Sequence, residues 1–459
     1  GGRPKLDNGK GDRVVLLCSN GRYFVDLYLA ALGLGAVTVP LNPASPAPEI
    51  EREVRTVGAK VVVVEPLAAH AWAQIDRVHL PTVEHVVATE TGTVPGADSA
   101  FDDLLGTEQV AVIEVDDDDL AALIFTSGTA GSPRAAMLSH GNLMANLEQG
   151  RSTDGINEHD VVFGVLPVFH IFGLNVVLGL TLARGATVVL VQRFDPFTAL
   201  ETITERGITV IPGAPPLWLA FSHFDDAPAD SFATVRLALT GAAKMPEEAT
   251  RHLQQRFGLI LREGYGLTEA SPVVTSSAGL TPKVGSVGKV LAGMQVHLVD
   301  ENGDDALEGD SGEIWVKGPN VFKGYLDEPE ATARVLTADG WLRTGDIAVV
   351  DDDGYLYLVD RAKDLVIVSG FNVYPAEVEE VLMEHPDVLE VGVVGVPHPH
   401  TGEAVKAFVV LKPGATAHED TLVSWCLDNL ARYKCPAKIL FVDQLPRNLS
   451  GKLLRRSLV

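Results

Sequence analysis

Cysteine is scarce: the 459 residues hold three, Cys18, Cys426 and Cys435. An odd number without metal-like spacing supports neither a disulfide framework nor a zinc site, and a reducing compartment fits best. Basic charge is also in deficit. Against 61 Asp and Glu stand 36 Lys and Arg, a formal net charge of −25, which disfavours nucleic acid or an anionic membrane as a partner. An anionic ligand must therefore meet a local basic pocket. There is no internal repeat and no low-complexity tract. Residues 161–183 lack Asp, Glu, Lys and Arg and are long enough to span a bilayer. Pro167, His170, Asn175, Gly164, Gly173 and Gly179 interrupt that stretch, so it reads as a buried strand, a loop and a packed helix, and no transmembrane segment is expected. The chain opens Gly1-Gly2-Arg3 with neither Met nor an apolar signal segment, so a fragment and a cytoplasmic location are expected.

What is present suits two or more folding units. Short apolar, β-branched runs at 14–17, 36–40, 60–64 and 120–126 alternate with longer mixed segments, the texture of parallel sheets covered by helices. From Ser286 to Tyr357 short strands and Asp/Gly turns replace it, which suggests a small antiparallel β unit. Beyond Asp360 the chain restarts, with a helix over 376–383, strands at 388–396 and 404–411 and an amphipathic helix at 421–430. The expected class is α/β. A large N-terminal domain (1–360) of α/β subdomains carries a small β unit, and a small α+β domain (361–459) follows.

Several segments carry chemistry. Thr126-Ser127-Gly128-Thr129-Ala130-Gly131-Ser132-Pro133-Arg134 follows a strand. Its glycines let backbone N–H groups approach phosphate oxygens, its hydroxyls donate, and Arg134 adds positive charge. By itself such a loop is more often a plain turn, and it lacks the glycine spacing and terminal Lys-Ser/Thr pair of a P-loop kinase. Glu263-Gly264-Tyr265-Gly266-Leu267-Thr268-Glu269 sets a flat Tyr between two glycines and ends on a carboxylate, which by itself is also a turn with a solvated Glu. By contrast, Pro397-His398-Pro399-His400 offers no usable metal geometry.

Taken in order, these segments resemble those of the adenylate-forming superfamily of acyl-CoA synthetases, adenylation domains and luciferases, and most closely its bacterial fatty-acyl-CoA ligases. The likeness runs from Gly11 to Arg456 and also takes in Leu166-Pro167-Val168-Phe169-His170-Ile171-Phe172-Gly173, Thr240-Gly241-Ala242-Ala243, Thr344-Gly345-Asp346, Asp360-Arg361-Ala362-Lys363-Asp364, Val368-Ser369-Gly370-Phe371-Asn372 and Ser450-Gly451-Lys452. Ala130, Arg134 and Ala135 depart from the family's usual TSGTTGxPKG loop, and only ten residues precede Gly11 where relatives carry a further subregion.

The resemblance implies a role for each segment. Thr126 to Gly131 and Arg134 would hold the β- and γ-phosphates of ATP, and Thr268 would reach the α-phosphate. Tyr265 would stack on adenine in space left by Gly264 and Gly266, backed by Gly241, Ala242 and Ala243. Asp346 and Arg361 would bind ribose, and Glu269 magnesium. Phe169, His170 and Trp218 would border an acyl pocket whose apolar surroundings suit a hydrophobic acid. Lys452 would neutralise charge at the transferring centre. The small domain would pivot near Lys363, bringing in Ser369, Gly370 and Asn372 to receive coenzyme A. The implied reaction makes acyl-CoA, AMP and pyrophosphate. Chain length is not legible, and an aryl or branched acid stays open. The alternatives are a fatty-acyl-AMP ligase that loads an acyl carrier protein, which would carry an insertion not seen between Lys289 and Tyr325, and a nucleotide or acyl sensor that has lost turnover.

Overall fold

A computed structural model describes residues 9–106, 110–126, 133–151, 153, 155–300, 302–307, 309–361, 366–368, 371–373, 375–398, 402–430, 432–447 and 453–458. Val61–Val64 is four valines, every one buried, as a central strand with helices on both faces requires. Around it lies a sheet of seven strands. In spatial order they are Ser99–Ala100, His85–Ala88, Val61–Val64, Arg13–Leu17, Val37–Pro40, Leu120–Thr126 and Arg134–Ser139, parallel except for the last pair. The helices Arg22–Gly33 and Ala47–Thr56 bury their apolar stripes in its two cores.

The second sheet also has seven strands. Leu261–Gly266, Leu237–Thr240, Val210–Gly213, Val161–Gly164 and Thr187–Leu190 run parallel, and Val273–Ser276 and Lys289–Val290 extend it antiparallel. Pro196–Arg206, Pro215–Ser222 and Glu247–Phe257 cover one face. The first of these helices is well delimited: Asp195 accepts the Thr198 N–H at 3.0 Å, and Gly207 leaves the helix at φ 59°, the pairing of an acidic N-cap with a left-handed C-terminal glycine.

Gln295–Val299, Gly312–Lys317, Leu342–Val350 and Leu356–Arg361 form the antiparallel unit. The last sheet has five strands, Phe371–Val373, Val366–Val368, Gly402–Leu411 and Val388–His398, with Lys438–Phe441 pairing Gly402–Leu411 in parallel. Two hydrophobic clusters lie wholly within 366–458 and the others within 14–358. The class is therefore mixed α/β, with a large N-terminal part and a small C-terminal one.

The charge-free stretch at 161–183 folds as strand, loop and helix. Its helix opens with wide turns over Phe172–Gly179, where the Leu180 N–H reaches back to the Asn175 carbonyl, and continues as Leu180–Ala183. Among the described residues no helix is long and apolar enough to cross a membrane.

Candidate active site

Parallel strands of the second sheet end at a cleft of about 1680 Å³, the usual place for a ligand in an open α/β sheet. The antiparallel unit contributes Glu313, Thr344 and Asp346 to its lining. From the small domain come the helix Pro375–Met383 and Arg447, Leu453, Leu454 and Arg455.

Tyr265 and Asp346, 81 positions apart, meet in this cleft: the phenol donates to Asp346 Oδ2 at 2.7 Å, and both side chains are largely buried. The Thr344-Gly345-Asp346 turn aims the carboxylate. Thr344 Oγ1 donates to the Ile314 carbonyl at 2.7 Å, Gly345 sits at φ 71°, and the strand is irregular just beyond, between Ile347 and Ala348, a device that redirects a side chain out of a ladder. The backbone of Arg361 pairs opposite Asp346. The glycines beside Tyr265 line the cleft and have a further use. A Cβ on Gly264 would lie 3.0 Å from the Thr275 carbonyl oxygen, and one on Gly266 2.2 Å from that of Pro272. They admit the neighbouring strand's backbone.

Gly241, Ala242 and Ala243 line the cleft just past the strand Leu237–Thr240. Ala242 is held at φ 72°, a conformation that costs energy for a residue with a Cβ and tends to occur where backbone groups are presented to a ligand. Glu263 is half-buried. Burial pushes its carboxyl up to about 7, the Lys244 ammonium pulls it down and Glu247 pushes it up.

Thr126, Arg134, Thr268 and Glu269 share the lining. Glu269 Oε1 accepts the Tyr325 hydroxyl at 2.7 Å. Arg134 lies over the Tyr325 ring, its guanidinium carbon 5.6 Å from the ring centre and its Nε bonded to Glu328 Oε2 at 2.7 Å. Burial first, and then the Glu269 carboxylate, push the Tyr325 phenol up, so it stays protonated and donates. Arg134, expected on phosphate, is thus held by an acid of its own chain. Tyr325 and Glu328 escape sequence reasoning because they stand far from Glu269 and Arg134 in the chain, in no local pattern.

The apolar lining comes from Ile171, Phe172, Val176, Leu219, Leu239 and Val273, with His170 beside it. The Phe172 N–H donates to His170 Nδ1 at 3.3 Å, which leaves the proton of a neutral ring on Nε2. Asn20, just past the strand Arg13–Leu17 of the first sheet, clamps this segment. Its amide donates to the Gly164 and Leu166 carbonyls, both at 2.9 Å, and accepts the Val168 N–H at 3.0 Å. Trp218, expected at the acyl pocket, lies one layer behind it. Its exposure is 0 %, and its indole N–H donates to the Leu239 carbonyl at 3.1 Å; on that helix the residue lining the cleft is Leu219. Phe169 is half-buried and outside the lining.

From the small domain Glu380 reaches Lys244 in an ion pair between exposed side chains, while Glu379 accepts Arg455 Nη2 at both carboxylate oxygens at 2.8 Å and the Val393 N–H at 2.7 Å. Ser127, Gly128, Thr129, Ala130, Gly131, Lys363, Ser369, Gly370 and Lys452 lie outside the described residues, as do the side chains of Arg361 and Asn372. Among the described residues no group of three or more His, Cys, Asp or Glu could hold a metal ion. Glu269 with the Thr268 hydroxyl is a sparse set of hard oxygen donors, which fits magnesium, a cation that keeps several waters and takes substrate phosphates as further ligands.

A cleft with this nucleotide-like wall on such a sheet has close counterparts. The AMP-binding enzyme family matches residues 3–326, and the AMP-binding enzyme C-terminal domain matches 377–452. The chain belongs to this adenylate-forming family. It is 34% identical to the long-chain-fatty-acid–CoA ligase of Bacillus subtilis, over 98% of this chain and 85% of that one. To a feruloyl-CoA synthase of an Amycolatopsis species it is 37% identical, over 97% and 88%. The ATP-bound crystal structure of MatB from Rhodopseudomonas palustris superposes with a TM-score of 0.90 at 34% identity, covering 98% of this chain and 89% of that one.

Proposed function

We propose that the chain is an AMP-forming acid–thiol ligase. It converts an apolar carboxylic acid, a fatty acid in the first instance, and ATP to an acyl-adenylate and pyrophosphate, then passes the acyl group to coenzyme A and releases AMP. The observation that carries this reading is one continuous cleft lined both by Tyr265 and Asp346 and by the apolar run from Ile171 to Leu239. A carboxylate oxygen of the acid attacks the α-phosphorus and pyrophosphate leaves; a thiolate then attacks the acyl carbon and AMP leaves. Thr126 to Gly131 hold the β- and γ-phosphates together with Arg134 once it leaves Glu328. Tyr265 and Gly241 to Ala243 enclose the adenine, Asp346 and Arg361 take the ribose, and Thr268 takes the α-phosphate. Lys452 offsets charge at the transferring centre. His170 stands where the acid's carboxylate enters. Magnesium, when bound at Glu269, neutralises phosphate charge.

In this reading the large domain ends at 360. The small domain, 361–459, turns about residues 360–364 to exchange Lys452 for the face at Ser369, Gly370 and Asn372. The free cysteines, two of them buried, agree with work in the cytoplasm. An aryl acid is the second reading, because relatives of similar identity are named for ferulate and for long-chain fatty acids.

The test is ATP–pyrophosphate exchange over fatty acids of graded length and hydroxycinnamic acids, followed by thioester detection. Exchange with fatty acids and an acyl-CoA product is expected. Exchange only with aryl acids replaces the substrate, exchange without a coenzyme A product favours a carrier-protein acceptor, and no exchange with any acid removes the ligase reading in favour of a sensor.

A further inference from the structure

The stretch 322–326 is stitched to both sides of the phosphate end of the cleft. Met137 donates its N–H to the Gly324 carbonyl at 2.9 Å, Leu326 to that of Ala135 and Lys323 to that of Met137, also at 2.9 Å, which lays the stretch along the strand Arg134–Ser139. On its other side the Phe322 N–H meets the Glu269 carbonyl at 2.9 Å. Tyr325 is thereby set between an anion and a cation that would otherwise attract each other: its hydroxyl is on Glu269 and its ring faces Arg134, which Glu328 holds from beyond.

We propose that Tyr325 is a positioning residue that keeps the Glu269 carboxylate turned toward the cleft and apart from Arg134, so that the carboxylate stays available to a divalent cation and the guanidinium to phosphate. The ring is buried beside Phe322, with centroids 5.0 Å apart at 73°, so packing holds its place. One hydroxyl bond to Oε1 takes one of the carboxylate's acceptor positions and leaves Oε2 for a metal. Without the hydroxyl, Glu269 turns toward Arg134, and each charge cancels the other before substrate arrives.

The proposal rests on Glu269 as the magnesium-holding residue, and the experiment separates the two ideas. Tyr325→Phe keeps the ring, its packing and its place under Arg134, and deletes only the hydroxyl. Half-saturating magnesium for adenylate formation should rise roughly tenfold, the scale of one lost hydrogen bond to a charged group. The thermal shift produced by ATP with magnesium should shrink, while that produced by ATP with EDTA should hold. In a Glu269→Gln background the Tyr325→Phe change should add nothing further, since the hydroxyl acts through the carboxylate. An unchanged magnesium requirement in Tyr325→Phe, alongside a raised one in Glu269→Gln, overturns the role of Tyr325. An unchanged requirement in Glu269→Gln itself overturns the metal assignment and this proposal with it. Equal loss of the two ATP-induced shifts in Tyr325→Phe makes the residue merely structural and also overturns it.

Discussion

Replacing Glu263 with Gln probes how the strand Leu261–Gly266, beside the cleft, tolerates an acid that the fold half buries. In an unfolded chain this carboxyl titrates at about 4.3; in the folded protein burial, partly offset by Lys244, raises it to about 7. Between those values the folded protein keeps a proton that the unfolded chain has released, so stability falls as pH rises. Below the window there is no penalty, and above about 7 it is complete. At 1.36 kcal/mol per pH unit the ceiling is about 4 kcal/mol. The side chain is only half-buried, so solvent screening lowers this to roughly 1–2 kcal/mol. Gln has the shape of the protonated acid and no charge to bury. In urea unfolding of the large domain followed from pH 5 to 8.5, the variant should gain on its parent up to about pH 7 and hold a constant lead of roughly 1–2 kcal/mol beyond it. A gap that is the same at every pH, or a variant less stable than its parent at pH 8, refutes the reasoning.

Trp218→Ala should cost about 3–5 kcal/mol in unfolding free energy, the scale for an emptied aromatic core site, whereas Trp218→Phe should cost far less. A change of acyl preference in Trp218→Ala at undiminished stability would put the ring in the pocket instead. Arg134→Lys removes the fixed guanidinium on Glu328 and Tyr325. Glu328 is 43% exposed, so denaturation should register no more than about 1 kcal/mol, and pyrophosphate exchange should change by less than tenfold; abolished exchange would mean that the guanidinium itself is indispensable. Lys452→Ala should lose adenylate formation while thioester formation from supplied adenylate survives, measured by single-turnover assays of each half-reaction. Equal loss of both would remove the idea that the two steps use different faces of the small domain.

The framework is legible in the sequence where a strand's reason for existing is local. Leu120–Thr126 and Val61–Val64 are short apolar runs whose middle residues the first sheet buries, and their ends fall within a residue of expectation. That Tyr265 and Asp346 face one cleft agrees with the roles the resemblance gives them, but the bond between them has no mark in the sequence. What fails to show is anything decided by the phase of a helix or by a distant contact. Trp218 and Leu219 are adjacent and equally apolar, and only the direction of the helix Pro215–Ser222 sends one into the core and the other to the cleft. Asn20 holds the His170 segment from another sheet, and an isolated Asn after a strand carries no mark of that duty. Gly264 and Gly266 are visible as glycines, but the backbone they make room for is not.

The stretch 323–326 also bears on solubility. Arg134–Ser139 is the last strand of the first sheet, and a bare edge of that kind offers unpaired amides and carbonyls to any strand that drifts by. The bonds to residues 323–326 cap it, and Gly324, at φ 116° with Thr332 Cγ2 only 2.6 Å from where a Cβ would stand, lets the cap turn away after a single short run. A fragment ending before residue 323 would keep both seven-stranded sheets and expose that edge. Such a fragment is poised for chain-to-chain aggregation, and a library of truncations should show recovery of soluble protein at the point where this stretch is restored.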